Sequence, residues 1–280
     1  MDPMDIDDDI PAASAAAPPC ATRGPARLGN LLNPYLMRAE SRQLDETVDE
    51  FLARLPPHPI SANLDALPPW YWIVNPHVGL EYYRQQRDVD ALERQGQDLL
   101  DRYRERKTPG NAFLPRHGSA ELEKEIAELA KATGMVEGKW MLFPTIEEVN
   151  ETWALVANAT ANNRLGTAAK IATAGKEEGD RCRLICVYTR DFTDKEDVER
   201  VLLELVRMGL VPAEKGGGKS KGKGIHYKCD AYTHLDVYAG NGYGLRPSIY
   251  SSAQMLPYHL KANTADSSIT SKRVNRLGLS

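Results

Sequence analysis

Cysteine is scarce in this chain. Cys20, Cys182, Cys186 and Cys229 are four thiols in 280 residues, too few and too scattered for a disulfide framework. We therefore read a reducing compartment, cytosol or nucleus. No run approaches the roughly 18 apolar residues that span a bilayer, so no membrane partner is expected. The start is acidic, with Asp2, Asp5, Asp7, Asp8 and Asp9, and fits neither a secretory signal nor an Arg-rich presequence. Positive charge is not in excess: a formal net charge of -4 argues against a chain that coats nucleic acid along its whole surface. Nucleophile, metal and paired-carboxylate signatures are missing too. We expect no enzyme and no cofactor.

Charge is unevenly placed. Lys215, Lys219, Lys221, Lys223 and Lys228 fall in an acid-free run, opposite in sign to the N-terminal cluster. The acidic and Ala/Pro-rich stretch of residues 1–35 has no apolar period and reads as a disordered tail. A single domain over 36–255 and a polar C-terminal tail over 256–280 complete the organisation.

Within the domain, periodicity predicts a helix from Ser41 to Leu55 and an aromatic strand at Trp70-Tyr71-Trp72-Ile73-Val74 between prolines. It next predicts one charged helix from Leu80 to Lys107. Another helix from Ala120 to Thr133 has Ser119 as its N-cap and Gly134 past its end. Lys139 to Phe143 reads as a strand, and Thr145-Ile146-Glu147-Glu148 as a capping box opening a helix that buries Val149, Trp153 and Val156. Strands follow at Gly166 to Thr173 and Arg181 to Thr189, then a helix opened by Thr193-Asp194-Lys195-Glu196. The last strands are Ile225 to Lys228 and a hairpin of Thr233 to Tyr238 with Tyr243 to Tyr250, turning on Asn241-Gly242. The fold class is α+β: a curved antiparallel sheet backed by a layer of helices.

Several groups of residues carry chemistry. Lys215 to Gly224 looks like a phosphate loop, but Ala213 stands where its first glycine belongs, so it reads as a flexible basic tip. Tyr227, Tyr232, Tyr238, Tyr243, Tyr250 and Tyr258, with Arg246, fit either base stacking or ordinary strand packing. His234 and Asp236 would share a strand face as a base and its orienter, or as a structural pair. Cys182, Cys186, His226 and Cys229 match no zinc spacing. Trp70 and Trp72 share one strand face and fit a stacking wall or a core; Trp140 and Trp153 read as core.

The order of segments carries a resemblance. Gly138-Lys139-Trp140-Met141-Leu142, a helix with Trp153, Leu165-Gly166-Thr167-Ala168-Ala169-Lys170-Ile171, Cys182 to Thr189, a capped helix and Met208-Gly209-Leu210 resemble the C-terminal half of translation initiation factor 4E. Tyr232 to Tyr238 and Tyr243 to Ser251 look more like a small eukaryotic family, the basophilic-leukaemia-expressed proteins, a distant branch of that fold. The first resemblance implies a cap-binding concave sheet. Two departures weigh against its mode of binding. The segment matching the second cap-stacking tryptophan, Ala127 to Gly134, has none. The phosphate-holding arginine of that family has Ala172 or Thr173 in its place.

These readings converge on a non-enzymatic RNA- or nucleotide-binding module. Its expected contacts are Trp70 or Trp72 for stacking, Lys170, Lys176 and Arg183 for phosphates, and Lys219, Lys221, Lys223 and Arg246 as a basic rim. The rival is a protein-interaction adaptor working through the charged helix.

Overall fold

Alternating side chains along the strands give this protein a sheet with two unlike faces. In the computed structural model, residues 26–57, 67–106, 116–173, 181–211 and 224–256 are described. The acidic N-terminal stretch, the Gly/Lys loop and the C-terminal stretch lie outside them. The sheet comprises β3 (Trp70–Val74), β4 (Gly138–Leu142), β5 (Ala168–Ala172), β6 (Ile185–Thr189), β7 (His226–Cys229) and β8 (Tyr250–Ser251). Its order is β3-β5-β6-β4-β7-β8, antiparallel throughout and open. Ahead of it, β1 (Ala26–Leu28) and β2 (Leu31–Asn33) form a separate antiparallel pair within the stretch expected to be a tail.

Eight helices occur among the described residues: α1 (Val48–Arg54), α2 (Leu80–Tyr83), α3 (Val89–Arg106), α4 (Arg116–Ala132), α5 (Val149–Ala161), α6 (Lys195–Arg207), α7 (Asp230–His234) and α8 (Ser252–Met255). None is long and apolar enough to cross a membrane. Tyr71, Ile73, Trp140, Leu142, Ala169, Ile171, Ile185 and Val187 form one sheet face and join the main core with Trp153 and Val156 of α5 and Val198, Val201 and Leu202 of α6. Trp140 donates its indole N–H to the Val198 carbonyl at 3.0 Å, pinning α6 to the central strand. Both Trp140 and Trp153 are core residues, as the sequence leads one to expect.

Several expectations change, two of them at helix caps: α4 starts at Arg116, which puts Ser119 inside the helix rather than at its cap, and Asp194 rather than Thr193 caps α6. Where one charged helix is read from Leu80 to Lys107, the chain breaks: Asp88 accepts from the Ala91 amide at 2.9 Å and restarts the helix as α3, while Arg87 turns toward Glu137. Only Val48–Arg54 is helical in the first predicted helix, because Thr47 and Glu50 form a reciprocal capping box there. The Thr145–Glu148 contact is made, yet α5 begins three residues later than read, at Val149. Finally, the Asn241-Gly242 hairpin is replaced by α7 and an irregular loop. The Asn241 amide donates to the carbonyls of Tyr238 and Leu245, and its oxygen accepts from the amides of Tyr243 and Leu245. One side chain thus takes the backbone groups that a strand pair would have joined.

Gly134 ends α4 at φ +71, where an added Cβ would lie 2.1 Å from the Gln86 carbonyl oxygen. Gly134→Ala is expected to destabilise the fold by on the order of 1–3 kcal/mol through left-handed strain, with further loss from the backbone contact. A lowered urea midpoint would show it; an unchanged midpoint would contradict this account of the turn.

Candidate functional site

Residues opposite the main core build the second face of the sheet. Strand register aligns them in two rows. Trp72 pairs with Lys170, Lys170 with Cys186, Cys186 with Met141 and Met141 with His226. In the neighbouring row Val74 pairs with Ala168, Ala168 with Tyr188, Tyr188 with Lys139 and Lys139 with Lys228. Trp72, Met141, Leu184, Cys186 and Tyr188 form their own apolar cluster, against which Tyr35 and Trp70 pack. Three lysines, Lys139, Lys170 and Lys228, are buried in this face. Strand residues point alternately to the two faces, so odd and even lysines on differently phased strands arrive on the same side.

Rings surround the ammonium groups. Lys170 Nζ lies 4.1 Å from the Trp70 ring centre, 4.9 Å from Trp72 and 5.7 Å from Tyr188. Lys139 Nζ lies 5.5 Å from the centre of the same Tyr188 ring, and Lys228 Nζ 3.6 Å from that of Tyr238. Such contacts favour a desolvated cation electrostatically. Trp72 stacks on Tyr188, with centroids 5.9 Å apart and planes at 22°, and takes Tyr35 at a tilt, 5.7 Å away. Trp72 is therefore enclosed, whereas Trp70 is only half-buried.

Acids reach this face at one end only. Lys139 Nζ donates to Asp230 Oδ1 at 2.7 Å and to the Thr233 hydroxyl at 3.0 Å, all buried. Burial works against the Lys139 ammonium, but the Asp230 carboxylate outweighs it and leaves its pKa raised. Asp230 is set in place by α7, whose first amide donates to the Glu137 carbonyl at 2.9 Å. Beside it, Glu137 accepts from Arg87 at 2.8 Å and from the Tyr82 hydroxyl. Burial raises the Glu137 pKa, against the pull of Arg87. Lys170 differs from Lys139: burial pushes it down to about 8. Burial also raises the Cys186 thiol, which stays protonated at neutral pH.

The structure thus brings together Trp70, Trp72 and Lys170 of the predicted contacts. Arg183 lies just before β6, held through its amide to the Pro144 carbonyl, and its guanidinium donates to the Cys182 carbonyl. Arg246 is exposed on the loop between α7 and β8. Lys176, Lys219, Lys221 and Lys223 lie outside the described residues. Sequence reasoning missed Lys139, Tyr188, Lys228 and Asp230 as members of the same constellation. Alternation within each strand was legible, but the register between strands was not.

Other candidate groups are dispersed by the fold. His234 sits in α7 and bonds Glu93 at 3.0 Å, while Asp236 turns at φ +52, so the two share no strand face. Cys186 and Cys229 lie on opposite sheet faces and Cys182 is exposed. Among the described residues no three His, Cys, Asp or Glu side chains are placed to hold a metal. Tyr227, Tyr232 and Tyr243 pack in the main core.

A family model described as "Basophilic leukemia-expressed protein Bles03" matches residues 6–236. This chain belongs to the Bles03 family. The match takes in both rows of the second face and Asp230, and ends before Tyr238 and the Tyr243 to Ser251 segment. The lysines and rings of the face are thus all carried by the part of the chain that the Bles03 match spans, apart from Tyr238.

Lys170 offers a direct test of the electrostatics. Its amine is held near pKa 8 in the fold and returns to about 10.5 on unfolding, so the buried charge costs stability at neutral pH. Lys170→Met is expected to gain on the order of 1–3 kcal/mol at pH 7. Between about pH 8 and 10.5 the folded lysine has lost its proton and the unfolded one has not, so the native protein gains stability and the variant's advantage shrinks. Urea midpoints of both proteins across that window measure it. A gap that widens with pH would overturn the assignment.

Proposed function

We propose that this Bles03-family chain is a non-enzymatic RNA- or nucleotide-binding module working through the lysine-bearing face of its sheet. The observation that supports it best is the interleaving of Trp70, Trp72 and Tyr188 with the ammonium groups of Lys170, Lys139 and Lys228 on one face. Aromatic planes provide stacking surfaces for bases, each worth roughly 1–3 kcal/mol, and buried cations favour phosphate. Asp230 and Glu137 are engaged by Lys139 and Arg87, which leaves the face's charge balance to its lysines. The outer helices bear exposed acids, including Glu121, Glu123, Glu128 and Glu196, so the protein's field steers an anion away from them. In this reading Trp70 is the platform, being half-buried where Trp72 is enclosed, and Lys170 is the first cation beside it. The initiation-factor-4E-like character of the sheet, inferred from segment order, and a place in cytosol or nucleus belong to the same proposal.

A fluorescent oligouridylate tests the reading by anisotropy. Affinity is expected to fall steeply between about 50 and 200 mM salt, in proportion to the phosphates neutralised. Trp70→Ala should weaken binding by about tenfold, one stacked base's worth. Absence of binding at low salt, or an affinity indifferent to both changes, would refute it.

Cap recognition is a separate matter. A methylated guanine is cationic and needs two ring faces, but Trp72 is already stacked on Tyr188 and the Trp70 face carries the Lys170 ammonium. A second cation there meets like charge. A 7-methylguanosine cap analogue is therefore expected to bind no more tightly than unmethylated GTP. A clear preference for the methylated form, lost in Trp72→Ala, would be the contrary result.

A further inference from the structure

The chain between β2 and α1 crosses the outer edge of β3 and lies over its ring-bearing side. Trp72 donates its amide to the Glu40 carbonyl at 2.9 Å, and its carbonyl accepts from the Arg42 amide at 3.0 Å. Tyr35 sets its ring against Trp72. The backbone bonds run to one strand residue, and that residue is the pairing partner of Lys170.

Inside itself, the same segment is densely tied. Asn33 closes its base, donating to the Arg42 carbonyl at 2.8 Å and accepting from the Tyr35 amide at 2.7 Å. Gln43 accepts from the Met37 amide at 2.8 Å and donates to the carbonyls of Arg38 and Ser41 at 2.9 and 2.8 Å. Arg54, at the end of α1, donates to the carbonyls of Ala39 and Ser41 and pairs with Glu46. At the tip, Met37 is 88% exposed and has φ +68, a conformation a non-glycine residue rarely holds. A unit densely bonded within, tied to the sheet's backbone at Trp72 and to α1 through Arg54, and closed over Lys170's ring partner has the build of a lid.

We propose that residues 35–43 are a lid that opens as one body and uncovers Trp72 and Lys170 to the phosphate-bearing ligand. The lid's gating role rests on the binding reading above. Its opening does not. Asn33 and Gln43 keep its shape, so the movement breaks the two Trp72 backbone bonds, the Arg54 bonds to the Ala39 and Ser41 carbonyls and the Tyr35 packing together. Met37, at the tip, is the apolar side chain that the closed state leaves in water.

Native-state hydrogen exchange on the full chain tests the opening. The amides of Trp72 and Arg42 should exchange together, far faster than those of Trp140 and Val187 in the central strands. Gln43→Ala unties the lid without touching α1. It should speed exchange at Trp72 and Arg42 by about tenfold, the loss of roughly one net hydrogen bond, and leave Trp140 and Val187 unchanged. Oligouridylate association should quicken in step. If Gln43→Ala fails to fold, Tyr35→Ala carries the same two readouts. Exchange at Trp72 and Arg42 as slow as at Trp140 would overturn the lid. Faster exchange with unchanged association would overturn its gating role. A wild-type protein that binds no oligouridylate would remove the binding reading and the gating with it, and the exchange pattern would then decide opening alone.

Discussion

The buried contact between Lys139 and Asp230 organises the second face of the sheet. It joins the central strand β4 to the first turn of α7 across 91 residues of sequence, at 2.7 Å and out of reach of water. An ion pair so buried is a weak source of net stability, because desolvation takes back much of the attraction. It is a strong source of geometry. Removing either partner would strand the other charge, so α7 has to begin where it does. The Glu137 carbonyl that receives the Asp230 amide fixes the same point from the backbone side.

From that anchor the rest of the face follows. With Lys139 paired to Asp230 at one end, Tyr188 lies close to two ammonium groups, 5.5 Å from Lys139 and 5.7 Å from Lys170, and its ring is the floor on which Trp72 stacks. Lys170 is pushed down by burial, which outweighs the weaker pull of Asp230. Two lysines 31 positions apart, on strands separated by one neighbour, thus have opposite electrostatic histories. That divergence between chemically identical groups is the kind of arrangement found where a protein does something besides fold. The main-core face is different in kind: Trp140, Trp153 and the aliphatic strand residues are packed for stability alone, with one indole hydrogen bond to a helix carbonyl.

Much of this was legible before any coordinates. The strands expected at 70–74, 139–143, 166–173, 181–189 and 225–228 each hold most or all of an observed strand, and α5 and α6 lie where apolar stripes place helices. Trp70, Trp72 and Lys170 were placed in one candidate site, and they meet. Boundaries were less legible. Arg87 and Asp88 interrupt a helix-like run because Glu137, fifty residues on, engages the arginine. Asn241-Gly242 reads as a hairpin turn, yet the Asn241 side chain competes with the ladder for the same backbone groups. Local propensity contains neither competitor.

What the sequence determined by itself is whatever depends on neighbours a few positions apart. The α+β class, the two-sided strands and family membership rest on such local patterns. Only the tertiary structure decided that Lys139, Lys170, Lys228, Tyr188 and Asp230 share one surface. That outcome depends on register between strands far apart in the chain, and a slip of one residue would have sent any of these side chains to the opposite face.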